Sequence, residues 1–134
     1  MIHLDTSFLV DLLREAAQGK RGEAHQFLDE HQESPLAVSL FVACELEAGA
    51  ACSRDPRRER SRVEAILRTV PTTTPGDGFA RLYGDLFAEL RRRGETVSSM
   101  DLLVAAAAGL DNATLVTRNV REFERIPGLR VLSY

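Results

Sequence analysis

The chain has 134 residues, 44% of them hydrophobic and 28% charged, with a formal net charge of −3. This is the size of one domain, residues 1–134, able to bury roughly two-thirds of its unfolded surface without disulfides or a structural metal, and its composition excludes collagen, coiled coil and intrinsic disorder. No apolar run approaches the ~18 residues of a membrane span, and Met1 to Asp5 reaches an acid with no secretory pattern before it.

Cys44 and Cys52 form no disulfide framework, so reduced thiols and a cytoplasmic setting are expected. Charge is unevenly spread: residues 1–53 carry three basic and nine acidic side chains, residues 54–134 fourteen basic and eleven acidic. Arg57, Arg58, Arg60, Arg62 and Arg91 to Arg93 can form basic strips or simply solvated helix faces, so charge alone does not decide the function.

Ile2 to Asp5 reads as a short strand ending in an acid, with Thr6 or Ser7 capping a helix that carries Phe8, Leu9, Leu12 and Leu13. A second helix is predicted from about Gly22 to Gln32, stopped by Ser34-Pro35, and Leu36 to Leu40 is the next strand. A helix through Phe41, Cys44, Glu45 and Ala48 is expected to break near Gly49, with Cys44 a small core residue. Pro56 opens an arginine-rich helix, Arg68 to Thr74 reads as a short strand, and Pro75 to Gly78 as a turn.

Phe79, Leu82, Tyr83, Leu86, Phe87 and Leu90 recur at helical spacing, and Gly94 ends that helix after three arginines. Ser98 to Asp101 opens an alanine-rich helix reaching Leu110. Thr114 to Thr117 is a strand, Val120 to Arg125 a helical turn, and Leu129 to Ser133 a last strand. Strands alternating with helices predict an α/β fold whose parallel sheet is covered on both faces.

Several chemistries are absent. There is no dinucleotide-binding G-x-G-x-x-G, no P-loop, no G-x-S-x-G elbow, and no Cys/His cluster for zinc. His3, in an apolar strand, is expected to be packed rather than reactive. What remains is a set of carboxylates at the ends of elements: Asp5 after the first strand, Glu45 on the helix after the second, Asp101 in a first helical turn, and Glu122 shortly after Thr117, Arg118 and Asn119. Carboxyl ends of strands in an open parallel sheet are where ligands bind. Acids converging there repel one another unless a cation is bound, and all-oxygen ligands suit Mg²⁺ or Mn²⁺.

Each acid also has a plainer explanation. Asp5 could cap the first helix, Asp101 could belong to a capping box begun by Ser98, and Glu122 could be merely solvated. Glu47 serves as a control for Glu45, because two residues along a helix place it about 200° away.

The motifs L-D-T-S at Leu4 to Ser7, E-L-x-x-G at Glu45 to Gly49, D-L-L-V-A-A-A-A at Asp101 to Ala108 and T-R-N-V-R-E-F at Thr117 to Phe123 stand in one order along the chain. In that order and spacing the sequence resembles PIN-domain proteins, and within them the VapC-type toxins, the ribonuclease half of VapBC toxin–antitoxin pairs. The resemblance implies a three-layer α/β/α sandwich with a central parallel sheet, RNA cleavage dependent on Mg²⁺ or Mn²⁺, a homodimer, and inhibition by a cognate VapB-like antitoxin.

Carried over by position, it implies Asp5, Glu45 and Asp101 as metal-binding catalytic acids. Asn119 and Glu122 would complete the site, Thr6 and Thr117 would support it, and Arg118 or Arg91, Arg92 and Arg93 would hold RNA. The expected reaction is hydrolysis of an RNA phosphodiester by a metal-activated water, with one or two ions. A DNA nuclease of similar fold and a non-catalytic PIN-like binding module are the alternatives, and the module should lack at least one central acid.

Overall fold

The computed structural model describes residues 1–134. Five parallel strands form one sheet in the order β3-β2-β1-β4-β5: β1 (Ile2–Leu4), β2 (Leu36–Ser39), β3 (Thr72–Thr73), β4 (Thr114–Val116) and β5 (Arg130–Leu132). Ile2 pairs with Leu36 on one side and Thr114 on the other, and the register runs on to Leu4 opposite Val116. All three residues of β1 are buried. Successive strand residues face opposite sides, so the sheet is covered on both faces.

The helices doing so are α1 (Thr6–Ala17), α2 (Glu23–Glu30), α3 (Leu40–Ala51), α4 (Pro56–Thr69), α5 (Phe79–Arg92), α6 (Ser99–Leu110) and the single turn α7 (Val120–Phe123). Helix α1 turns Phe8, Leu9 and Leu12 to the core. In α6, Leu102 and Val104 to Ala108 are all buried, the small alanines letting a helix lie close between its neighbours. Helix α5 buries only Leu86 and Leu90 and leaves Phe87 exposed. The alternation of strands and helices predicted from sequence is the observed one, and the α/β/α sandwich is present.

Element ends shift by a few residues in several places, and three of these differences have a clear physical cause. Helix α3 does not break at Gly49 but continues to Ala51, because burial of Leu46 and Ala50 outweighs the cost of about 1 kcal/mol for an exposed helical glycine. Leu40 belongs to α3 rather than β2, since Ser39 Oγ accepts from Val42 N (3.3 Å) and starts the helix there. Arg68 and Thr69 stay in α4, leaving β3 only two residues. Cys44 is a further correction: it is exposed, not core. Helix α3 is apolar almost all round, so its pattern did not mark the solvent side.

Chain direction explains where a site can form. From β1 the sheet grows to β2 and β3 on one side, and β4 and β5 add on the other. The connections therefore leave β1 and β4 in opposite directions, opening a crevice at their carboxyl ends.

Candidate functional site at the sheet crossover

Asp5 follows β1, and its N–H donates to Val116 O of β4 (3.0 Å), which sets it level with Thr117. Both side chains are out of solvent, Asp5 being 5% and Thr117 0% exposed. Thr117 Oγ1 donates to Asp5 Oδ2 at 2.7 Å, and Ser7 Oγ donates to the same oxygen at 3.0 Å. Asp5 Oδ1 receives no protein donor. Asp5 occupies the N-cap position of α1, yet its side chain makes no cap hydrogen bond. The capping explanation does not account for it.

Thr6 Oγ1 reaches the other way and donates to Glu45 Oε1 at 2.7 Å. Glu45 is half-buried on α3 while Glu47, two residues on, is exposed. Burial raises the Glu45 carboxyl above its ordinary value, the Thr6 hydrogen bond opposes this, and the charges of Asp5 and Asp101 add to the rise. Asp101 is half-buried in the first turn of α6, where its N–H donates to Ser98 Oγ (3.1 Å). Its carboxyl is also raised, first by burial and then by the charges of Asp5 and Glu122, against the opposing effects of Ser98 and Arg125. Three acids from three segments thus feel one another's charge at one crevice.

The remaining candidates are placed unevenly. Glu122 is exposed and paired with Arg125 at 2.6 Å, and its charge reaches Asp101. Asn119 is exposed; its backbone N–H donates to Thr117 Oγ1 at 3.0 Å and its side chain caps nothing. Arg118 is exposed beside Asp5: its N–H donates to Ser7 Oγ (3.0 Å) and its guanidinium pairs with Asp11. Arg92 and Arg93 pair with Glu89 on their own helix, and Arg91 is exposed nearby. None of these three touches an acid of the crevice. His3 is buried and bonded to Asp111 (2.8 Å), as its apolar strand implied.

Sequence reasoning left Ser7 as a cap and missed Asp11 and Tyr134. Tyr134 Oη lies 2.6 Å from Asp11 Oδ2 and 3.2 Å from Ser7 O. Contacts spanning more than 120 residues leave no local signal in the chain.

No three His, Cys, Asp or Glu side chains stand close enough together to enclose an ion unaided. The donor set still fits a hard divalent cation: carboxylate and hydroxyl oxygens only, with Asp5 Oδ1 unengaged and two neighbouring carboxyls whose charge is unbalanced. Mg²⁺ is commonly held by one or two carboxylates with water filling its other positions.

Residues 2–129 match the PIN domain family. The chain belongs to it. Among relatives of this PIN domain, "Ribonuclease VapC2" of Rickettsia felis is 34% identical over 98 residues, 73% of each chain. The "tRNA(fMet)-specific endonuclease VapC" of Salmonella typhimurium is 36% identical over 98 residues, 73% of this chain and 74% of the relative. The crystal structure of VapBC2 from Rickettsia felis bound to a DNA fragment from its promoter contains a chain with a TM-score of 0.90 and 28% identity, covering 100% of this PIN domain and 99% of that chain. The PIN domain is therefore of the VapC type in sequence and in fold.

Proposed function

We propose that residues 1–134 act as one PIN domain, the toxin of a type II toxin–antitoxin pair, hydrolysing RNA phosphodiesters with Mg²⁺ or, in its place, Mn²⁺. The observation that carries this is the convergence of Asp5, Glu45 and Asp101 at the sheet crossover, with Asp5 held by two hydroxyls rather than spent on capping. A VapC relationship supports RNA as the substrate. All three central acids are present, so a non-catalytic module is disfavoured.

Asp5, Glu45 and Asp101 would hold the cation, with Glu122 and Asn119 flanking it. The bound ion supplies Lewis acidity, lowering the pKa of water and offsetting charge that develops at phosphorus. Thr117 and Ser7 fix the orientation of Asp5, and Thr6 fixes that of Glu45. Hydroxyl donors keep these oxygens aimed without adding charge, so the carboxylates need little rearrangement as the reaction proceeds. No histidine takes part; His3 is committed to Asp111.

The partner we assign is a VapB-like antitoxin, following the VapBC complexes among the structural relatives. A hollow of about 570 Å³ lies between α1, α2 and α4 and is lined by Leu12, Leu13, Leu28 and Ile66 among others. Leu13, Ala17 and Arg62 also line a second hollow of about 310 Å³ that reaches Thr6 and Glu45. An apolar antitoxin segment seated in the first would be led toward the acids through the second. We also propose a homodimer, using exposed apolar side chains such as Leu40 and Phe87. No helix is long and apolar enough to cross a membrane; an RNA substrate and an antitoxin partner would support a cytoplasmic setting.

The test is cleavage of RNA, single-stranded DNA and duplex DNA in Mg²⁺ by wild type, Asp5→Asn, Asp101→Asn and Glu47→Gln. The expected result is RNA cleavage by wild type and Glu47→Gln only. Preferred cleavage of DNA, or equal activity in all four proteins, would overturn the proposal.

A further inference from the structure

We propose that Asp11 and Tyr134 clamp Arg118 as the arm that holds an RNA phosphate beside Asp5; the proposal rests on the ribonuclease reading above. The backbone of Arg118 is tied to Ser7 Oγ, and Ser7 Oγ donates to Asp5 Oδ2, so the arm springs from a point two hydrogen bonds from the central acid. Its guanidinium pairs with Asp11 Oδ2. Tyr134 Oη donates to that same oxygen at 2.6 Å, and Arg14 Nη1 donates to Oδ1 at 3.1 Å.

Burial separates this arrangement from an ordinary surface ion pair. The Asp11 side chain is 13% exposed, while that of Arg118 is 56% exposed. The acid is thus fixed and the base still accessible. The tyrosine ring packs edge-on against Phe8 at 4.7 Å, and Phe8 is fully buried, so the hydroxyl is held where it meets Asp11.

A guanidinium has five N–H donors, and pairing with one carboxylate oxygen leaves others for a phosphate, which it can grip through two parallel bonds. One carboxylate between Arg14 and Arg118 also leaves a surplus positive charge at the rim. RNA must bring its own negative charge to a crevice of acids, and a fixed cation on that rim answers the repulsion. Tyr134 and Asp11 act through Arg118 and are positioning residues.

The clamp is tested by binding, independently of cleavage. The dissociation constant of a labelled single-stranded RNA is measured by anisotropy in Ca²⁺, across a salt series, for wild type, Arg118→Ala, Tyr134→Phe and the double variant. Arg118→Ala should weaken binding about tenfold and lower the slope of log Kd against log salt by about 0.7, the value of one lost phosphate contact.

Tyr134→Phe, which keeps the ring and every charge, should weaken binding about threefold with an unchanged slope. In the Arg118→Ala background it should have no further effect. An equal Tyr134→Phe effect with and without Arg118, an unaltered slope in Arg118→Ala, or no RNA binding by wild type would overturn the clamp. RNA bound but not cleaved in Mg²⁺ would remove the reaction and leave the clamp standing.

Discussion

Thr117 donates its hydroxyl to Asp5 Oδ2 across 2.7 Å, joining residues 112 apart in sequence at the ends of the two strands where the sheet reverses its order of growth. The bond is fully out of solvent on the threonine side. The Asp5 charge also raises the carboxyls of Glu45 and Asp101, a repulsion that a bound cation would relieve. Stability is therefore the first quantity in which the site should declare itself.

Asp5→Asn keeps a carbonyl oxygen able to accept from Thr117 and Ser7 but removes the charge that Glu45 and Asp101 feel. Without metal this variant should be as stable as wild type or more so. Asp5→Ala leaves the two hydroxyls without their acceptor and should lose about 1–3 kcal/mol. Urea unfolding in chelator measures both; an Asn variant as destabilised as the Ala variant would show that the charge is not strained.

The carboxyls of Glu45 and Asp101 are both raised on folding, from ordinary values of 4.5 and 3.8. Above those values the folded chain holds more protons than the unfolded one. The stability these two groups contribute is therefore present below the ordinary carboxyl range and lost as pH rises through their raised values. Cation binding needs the deprotonated forms and should strengthen over the same range. Metal-free melts of wild type and of the Glu45→Gln, Asp101→Asn pair check this: the double variant should show a flatter decline, and parallel curves would contradict it.

Ala65 lines the hollow between α1, α2 and α4, away from the acids. Ala65→Glu should place a longer, charged side chain in the path of an apolar antitoxin segment. RNA cleavage should persist while inhibition by the cognate VapB-like antitoxin weakens at least tenfold. Inhibition titrations read this directly, and an unchanged inhibition curve would show that the segment docks elsewhere.

Much of the fold was legible because short apolar strands alternate with helices whose caps and breakers are local: Pro56 at the start of α4, Ser98 capping α6, Gly94 after α5. Asp5 and Asp101 were legible for a related reason, each lying at the end of an element where a side chain is spared from packing, whereas Glu45 sits in the middle of α3 and was carried by its motif. Face assignment failed on α3. With apolar residues on every side, nothing in its spacing marked Cys44 as exposed or carried the helix past Gly49. The supporting network was illegible for another reason: Ser7 meets Thr117, and Asp11 meets Arg118 and Tyr134, only after the chain has closed over more than a hundred residues.

The most direct measurement is the thermal stability of wild type and Asp5→Asn, each in chelator and in excess Mn²⁺. If Asp5, Glu45 and Asp101 share one cation, Mn²⁺ at about ten times its dissociation constant should stabilise wild type by roughly 1.4 kcal/mol and the variant by much less. A metal-induced gain of the same size in both proteins would contradict a shared site.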